Sequence, residues 1–86
     1  MKIPMKLFVA GLPYDMDDTD LREMFELYGT VNTARIAWDR NTGKSKGFGF
    51  VEYASRAEAQ ETMQLLNGKT IRGKKLVVQS AEDQKR

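Results

Sequence analysis

Residues 46–53 constrain the fold more than any other part of the chain, because they alternate with the period of a β-strand. The segment reads KGFGFVEY. In a strand, its aromatic and charged face consists of Lys46, Phe48, Phe50 and Glu52. Its small and apolar face consists of Gly47, Gly49, Val51 and Tyr53. Two Phe rings beside a Lys indicate an exposed platform, on which flat ligands stack while a cation holds a phosphate.

Two motifs together resemble a known family. Residues 46–53 match the pattern K/R-G-F/Y-G/A-F-V-x-F/Y at every position. Residues 7–12 read LFVAGL, an aliphatic-aromatic-aliphatic run that ends in Leu. This pair resembles the RNA recognition motif, a module that binds single-stranded RNA. The family usually has Asn where this chain has Gly11, a departure that leaves the aromatic position Phe8 intact.

The hydrophobic pattern predicts the order strand, helix, strand, strand, helix, strand. The predicted strands cover Lys6–Ala10, Val31–Trp38, residues 46–53 and Lys75–Gln79. Each helix has one apolar side, and each strand has one apolar face. The expected fold is therefore α+β and ferredoxin-like, βαββαβ, with two helices on one face of a four-stranded antiparallel sheet.

Capping residues predict the ends of both helices. The first helix is expected to begin after an N-cap at Asp17 and to end at Gly29. The second is expected to open with a capping box formed by Ser55 and Glu58, and to stop at residues 67–68. By alternation, Trp38 lies on the same face of its strand as the apolar Ile36, which predicts partial packing against the core.

The length of 86 residues predicts one domain. We expect the motif to span residues 6–81, with short extensions at 1–5 and 82–86, the latter frayed. No apolar stretch approaches membrane length. The chain has no Cys and no His, which removes thiolate metal sites and the commonest general base. We expect an intracellular protein, cytoplasmic in a bacterium and nuclear or cytoplasmic in a eukaryote.

The charges are distributed unevenly, although the net charge is only +2. Residues 13–28 hold six acidic residues and one Arg. Residues 35–46 hold four basic residues and one Asp, and residues 69–75 hold four basic residues. An acidic first helix repels phosphates, so we expect nucleic acid to bind on the sheet side. The acidic cluster lacks the calcium-loop pattern, and helix capping accounts for it, so no metal and no cofactor are predicted.

The resemblance implies a role for each candidate residue. In the family, the strands of the two motifs are central neighbours, which would bring Phe8, Phe48 and Phe50 together. Bases would stack on Phe8 and Phe50, Phe48 would insert between sugars, and Lys46 would pair with a phosphate. The candidates for flanking contacts are Arg35 and Gln79, which would meet base edges, and Arg40 and Lys44, which would hold phosphates from the hairpin loop.

Other interpretations remain open from the sequence. A register slip of one residue would bury the Phe rings, but it would also bury Lys46 and Glu52. Arg35 is explained equally well as an ordinary solvated residue. A protein-interaction module that uses the platform or the helix face is the alternative to an RNA-binding module. Acylphosphatases share the βαββαβ order, but they need an Arg in the loop after the first strand, and residues 11–15 have none.

The expected partner is single-stranded RNA. Single-stranded DNA is expected to bind as well, because aromatic rings stack on any base. No enzymatic activity and no membrane association are predicted, and a protein partner would use the helix face. A single motif of this size resembles both small bacterial RNA-binding proteins and isolated motifs of eukaryotic factors.

Overall fold

The computed structural model describes residues 3–81 as six strands and two helices. The elements are β1 (Met5–Ala10), α1 (Asp18–Glu26), β2 (Val31–Trp38), β3 (Ser45–Tyr53), α2 (Arg56–Leu66), β4 (Thr70–Ile71), β5 (Lys74–Lys75) and β6 (Val77–Ser80). The main sheet has the order β2-β3-β1-β6, and all its neighbours are antiparallel. The predicted ferredoxin-like fold is confirmed. The expected frayed segment 82–86 lies outside the described residues.

The core lies between the two helices and one face of the main sheet. Strands β1 and β3 bury alternate residues, so Leu7 and Val9 are fully buried while Lys6 is exposed. On β3, Val51 and Tyr53 are fully buried. This pattern confirms the predicted face of the sheet and rejects the slipped register. Within residues 3–81, no helix has the length and apolar character to cross a membrane.

Helix α1 begins as predicted but ends earlier than expected. Asp17 accepts a hydrogen bond from the Asp20 N–H at 2.9 Å, and the Asp20 carboxylate accepts from the Asp17 N–H at 3.2 Å. The helix ends at Glu26, with Leu27 as its C-cap. The prediction that Gly29 ends this helix is therefore wrong.

Gly29 is required for a different reason, which is the close approach of the Glu58 side chain. The position of that side chain also explains why the predicted capping box of α2 fails. A Cβ at Gly29 would lie 2.7 Å from Oε1 of Glu58. That Oε1 accepts a hydrogen bond from the Thr30 N–H at 3.1 Å. Glu58 therefore ties α2 to the loop before β2. The predicted capping box with Ser55 is wrong, since Ser55 is the N-cap but its side chain makes no capping hydrogen bond.

The last predicted strand is divided in the structure. Lys74–Lys75 pairs with Thr70–Ile71 in a separate two-stranded hairpin, and β6 begins only at Val77. The division occurs at Leu76, which is fully buried. Its N–H donates to the Lys69 carbonyl at 2.7 Å, and its carbonyl accepts from the Gly68 N–H at 2.7 Å. The Leu76 backbone thus bonds to the connection between α2 and β4, and the predicted boundaries at Lys75 and Gln79 are wrong.

Side chains form hydrogen bonds with backbone groups of both outer strands of the main sheet. On β2, the Ile36 N–H donates to Asp18 Oδ1 at 2.7 Å. The guanidinium of Arg22 donates to the carbonyls of residues 31 and 32, at 3.0 and 3.1 Å. On β6, the Val78 N–H donates to Asn67 Oδ1 at 3.0 Å. Helix α1 and the C-cap of α2 therefore hold the two edges of the sheet.

Tyr53 connects the central strand β3 to α1. Its hydroxyl donates to the Phe25 carbonyl at 2.6 Å, and burial raises the pKa of Tyr53 to about 12. The same carbonyl accepts a hydrogen bond from the Tyr28 N–H at 3.1 Å. The phenol thus fixes the C-terminal end of α1 against the underside of β3.

We expect Tyr53 to make stability fall in alkaline solution. An unfolded Tyr loses its proton at about pH 10. The folded chain keeps the proton until about pH 12, because that is the pKa of Tyr53. Stability from this group is therefore complete below about pH 10, and above it the free energy of unfolding falls by at most about 1.4 kcal/mol per pH unit.

Urea unfolding of the wild type and Tyr53→Phe at about pH 9 and about pH 11 measures this effect. At the lower pH the variant should lose about 0.5–1.5 kcal/mol, because one hydrogen bond is removed. Between the two pH values, the wild type should lose more stability than the variant. Equal losses would contradict the assignment.

Candidate nucleic-acid interface

Three Phe rings lie together on the face of the sheet opposite the helices. The ring centroids of Phe8 and Phe48 are 5.6 Å apart, and those of Phe8 and Phe50 are 5.7 Å apart. Phe48 and Phe50 meet edge to face at 6.4 Å. Phe50 is 36% exposed, and the other two rings are half-buried. We call Phe8, Phe48 and Phe50 the aromatic platform.

The strand register explains why these rings meet. Phe50 lies opposite Phe8 across the β3–β1 ladder. On the outer sides, Arg35 lies opposite Phe50, and Gln79 lies opposite Phe8. Arg35, Phe50, Phe8 and Gln79 therefore form one row across the four strands, a distance of about 14 Å at the usual strand spacing. Phe48 lies in the next row, opposite Ala10.

Gly49 lets strand β2 lie close to the strand that carries two of the rings. A Cβ at Gly49 would lie 2.3 Å from the Arg35 carbonyl oxygen, a distance that no side chain tolerates. Because Gly49 lies between Phe48 and Phe50, the close approach occurs beside the platform. Gly49 therefore serves backbone packing, whereas Gly47 serves backbone conformation, since its φ is +83°.

A carboxylate organises the loop between β2 and β3. Asp39 Oδ1 accepts hydrogen bonds from the N–H groups of Thr42 at 3.1 Å and Asn41 at 2.8 Å. These bonds, with a smaller contribution from the positive charge of Lys46, hold the pKa of Asp39 below its usual value. The Asp39 N–H and carbonyl also bond within residues 39–44. The loop therefore has a defined shape and a fixed negative charge.

The predicted basic residues lie in two different settings. Lys46 is exposed within β3, two residues before Phe48. Arg40 and Lys44 are exposed in the ordered loop, outside the rows formed by the strands. The structure thus brings Arg35 and Gln79 into line with the rings and leaves Arg40 and Lys44 on the adjoining loop. The roles of all these residues remain predictions.

Trp38 does not pack against the core as the alternation predicts. Its side chain is 43% exposed. The β2–β3 register is irregular between Ile36 and Trp38, so Trp38 lies opposite Ser45. The Ser45 hydroxyl accepts a hydrogen bond from the Gly47 N–H at 3.0 Å within this irregular segment. Because the irregularity breaks the period of two, counting alternate residues fails at this end of the strand.

One aromatic and basic pair has no signature in the sequence. The ammonium nitrogen of Lys74 lies 3.8 Å from the centroid of the Tyr14 ring. Beside it, Arg72 donates to both carboxylate oxygens of Asp15, at 2.7 and 2.9 Å. These contacts join the loop after β1 to the β4–β5 hairpin. No sequence motif links segments so far apart in the chain, so only the folded structure reveals the pair.

The acidic residues form no metal centre in the described part of the chain. Within residues 3–81, no three or more carboxylates are grouped so that they could hold an ion. Asp17, Asp18 and Asp20 instead bond to backbone N–H groups at the start of α1 and on β2. The acidic helix packs on the face of the sheet opposite the platform.

Comparisons with known proteins agree on one family. The family model of the RNA recognition motif matches residues 7–77. Over 81 residues, the chain is 40% identical to a 28 kDa chloroplastic ribonucleoprotein of Nicotiana sylvestris, covering 94% of this chain and 29% of that protein. Over 78 residues, it is 44% identical to the mitochondrial glycine-rich RNA-binding protein 3 of Arabidopsis thaliana, covering 91% of this chain and 25% of that protein. The chain thus spans less than a third of these curated relatives.

Solved structures show the same relationship. The crystal structure of the RNA-binding protein PG1 matches with a TM-score of 0.86 and 36% identity, covering 95% of this chain and 96% of the other. RNA recognition domains 1 and 2 of Sex-lethal from Drosophila melanogaster match with a TM-score of 0.84 and 42% identity, covering 90% of this chain and 49% of the other.

Proposed function

Because the chain belongs to the RNA recognition motif family, we propose that it binds single-stranded RNA on the aromatic platform without catalysing a reaction. The observation that supports this most is the contact of three partly exposed Phe rings on the face away from the core. Exposed apolar surface of this kind costs solubility and adds nothing to the core. Stacking of unpaired bases gives the rings a function.

Each ring has a distinct place in the proposed complex. Phe50 is the most exposed of the three and, with Phe8, offers a surface on which bases stack. Phe48 lies one row further along the sheet, where it would contact sugars between stacked bases. Each stacked base contributes about 1–3 kcal/mol to binding. Because stacking tolerates any base, the platform supplies affinity more than sequence preference.

The flanking polar residues supply the remaining contacts. Gln79 carries both a donor and an acceptor, which suits the edge of a base stacked on Phe8. Arg35 lies at the other end of the same row, next to Phe50. We propose that these two side chains read base edges, while Lys46 pairs with a phosphate. Arg40 and Lys44 would hold phosphates that pass over the β2–β3 loop.

Asp39 limits how strongly this loop attracts RNA. Its carboxylate is ionised at neutral pH, as an ordinary Asp is, and its charge interacts with that of Lys46. A phosphate arriving at Lys46 therefore meets a cation whose field is partly offset by Asp39. We expect modest affinity from one motif, with single-stranded DNA binding the same rings.

The helix face offers a second candidate function. A groove on α1 is lined by Asp15, Met16, Asp20, Glu23, Met24, Leu27 and Arg72. Leu27 is 79% exposed, which is unusual for a large apolar side chain. An acidic groove with Met and Leu side chains suits a basic protein segment better than RNA. This protein-interaction function is the alternative to RNA binding, and an NMR titration distinguishes the two.

We predict that Phe50→Leu weakens RNA binding by about 1–3 kcal/mol, because Leu keeps an apolar side chain but has no ring that can stack on a base. Unfolding should change little, since Phe50 lies outside the core. Fluorescence anisotropy with a short labelled RNA measures the affinity, and urea unfolding measures stability. Leu65→Ala, at an exposed position on α2, is the matched control and should bind like the wild type. Unchanged binding by Phe50→Leu would remove the platform from the interface.

We predict that Lys46→Gln weakens binding to all RNA sequences about equally, because a phosphate contact carries no sequence information. The slope of log K against log salt should become shallower by about 0.7, the value for one phosphate contact on a single strand. The matched control is Lys69→Gln, which removes the same charge from the connection between α2 and β4, outside the main sheet. Equal slopes for Lys46→Gln and the wild type would rule out this phosphate contact.

We predict that single-stranded RNA binds and that a hairpin duplex of the same composition does not, because paired bases already stack on one another. An NMR titration compares the two, with single-stranded DNA as a third ligand. Shifts should concentrate on the platform, Lys46 and Gln79. Shifts confined to the groove on α1, or no binding of any single strand at millimolar concentration, would favour the protein-interaction function.

A further inference from the structure

Glu52 places a carboxylate on the open face of the sheet, beside the aromatic platform. Its neighbours in β3, Val51 and Tyr53, are fully buried beneath the helices, so alternation directs Glu52 to the side that carries Phe50. Within residues 3–81, the Glu52 carboxylate makes no hydrogen bond and no ion pair. A negative charge on this face repels the phosphates that the proposed function brings there. Phosphate binding therefore does not account for this carboxylate.

Lys6 lies directly opposite Glu52 on the neighbouring strand β1, and its side chain is exposed. The two residues form the row next to the one that contains Phe8 and Phe50, about 7 Å further along the strands. In the part of the chain that the structure describes, no ion pair joins Lys6 to Glu52. The row therefore presents a cationic donor and an anionic acceptor side by side, next to the rings.

A carboxylate beside stacked bases selects a base by the donors on its edge. An ionised carboxylate only accepts hydrogen bonds, and its two oxygens can take two parallel N–H groups. The Watson–Crick edge of guanine carries two adjacent donors, N1–H and N2–H, beside the acceptor O6. The same edge has a single donor group in adenine, cytosine and uracil. Guanine is therefore the base whose edge complements a carboxylate next to an ammonium group.

We propose that Glu52 and Lys6 read the Watson–Crick edge of a guanine that stacks on the aromatic platform. This inference rests on the proposed function, because it assigns a base preference to the same RNA site. Glu52 accepts hydrogen bonds from N1–H and N2–H of the base, while Lys6 donates to O6. The opposite charges of the two side chains offset each other, so the phosphates meet little net field from this row. The rings then supply affinity, and the adjoining row supplies the preference for guanine.

RNA pentamers that differ only in their central base measure this preference. Uridines flank a central guanine, adenine or hypoxanthine, the last of which is guanine without its N2 amino group. In fluorescence anisotropy, the wild type should bind the guanine pentamer about fivefold or more tightly than the adenine pentamer, the effect of one good edge contact. The hypoxanthine pentamer should bind about twofold or more weakly than the guanine pentamer, because one hydrogen bond is lost. All three bases are purines, so stacking is matched.

Substitutions on the two strands assign the preference to its side chains. Glu52→Gln should lower the preference for guanine over adenine about fivefold or more, because one of the two accepting oxygens is lost. The variant should bind the adenine pentamer at least as tightly as the wild type does, since a charge that repels phosphates is removed. Lys6→Met should lower the preference as well, because O6 loses its donor. The matched control is Glu61→Gln, which removes the same charge from an exposed position on α2 and should keep the preference.

The outcomes distinguish this proposal from the one on which it rests. If the wild type binds none of the pentamers, the proposed function itself fails. If Phe50→Leu weakens all three while the wild type binds guanine and adenine equally, only the reading of guanine is overturned. A guanine preference that Glu52→Gln retains, or an equal loss for all three pentamers, overturns the role of Glu52. If urea unfolding shows that Glu52→Gln is not folded, guanine and hypoxanthine are compared on the wild type, and equal binding refutes the contact.

Discussion

Burial of one face of the two central strands is the constraint on which the rest of the structure depends. Leu7, Val9, Val51 and Tyr53 are fully buried beneath the helices. Because a strand alternates strictly, their burial turns Phe8, Phe48 and Phe50 to the other side. The core and the candidate RNA surface are therefore two sides of the same strands, and a change of register would destroy both at once.

Two residues on the core side, Tyr53 and Gly49, hold the strands that carry the platform. The Tyr53 hydroxyl is bonded to the end of α1, and Gly49 allows the Arg35 backbone to lie against β3. Neither residue places a side chain on the open face of the sheet. Together they fix the spacing of the rings, so the platform is formed before any ligand arrives. A preformed surface loses less conformational entropy on binding than a mobile one.

The fold and the rings could be predicted because both depend on local periodicity. Alternation assigns Phe8 and Phe50 to one face without knowledge of the tertiary structure. Two of the failures share a different cause, which is contact between segments that the local pattern does not link, whereas Trp38 fails through a local irregularity of the β2–β3 register. Glu58 bonds to the Thr30 backbone instead of capping its own helix, and Leu76 bonds to the connection after α2 instead of continuing a strand. The contact between Tyr14 and Lys74 could not be predicted for the same reason, since no spacing rule joins the two residues.

The side chains at the two edges of the sheet have a consequence for how this module coexists with others. Asp18 and Arg22 form hydrogen bonds with backbone groups of β2, and Asn67 forms one with a backbone group of β6. An incoming strand would have to displace them before it could pair with either edge. Copies of such a module in one longer polypeptide, or crowded along one RNA, could lie side by side without merging their sheets. Domain swapping and amyloid-like growth are thereby opposed by three polar side chains.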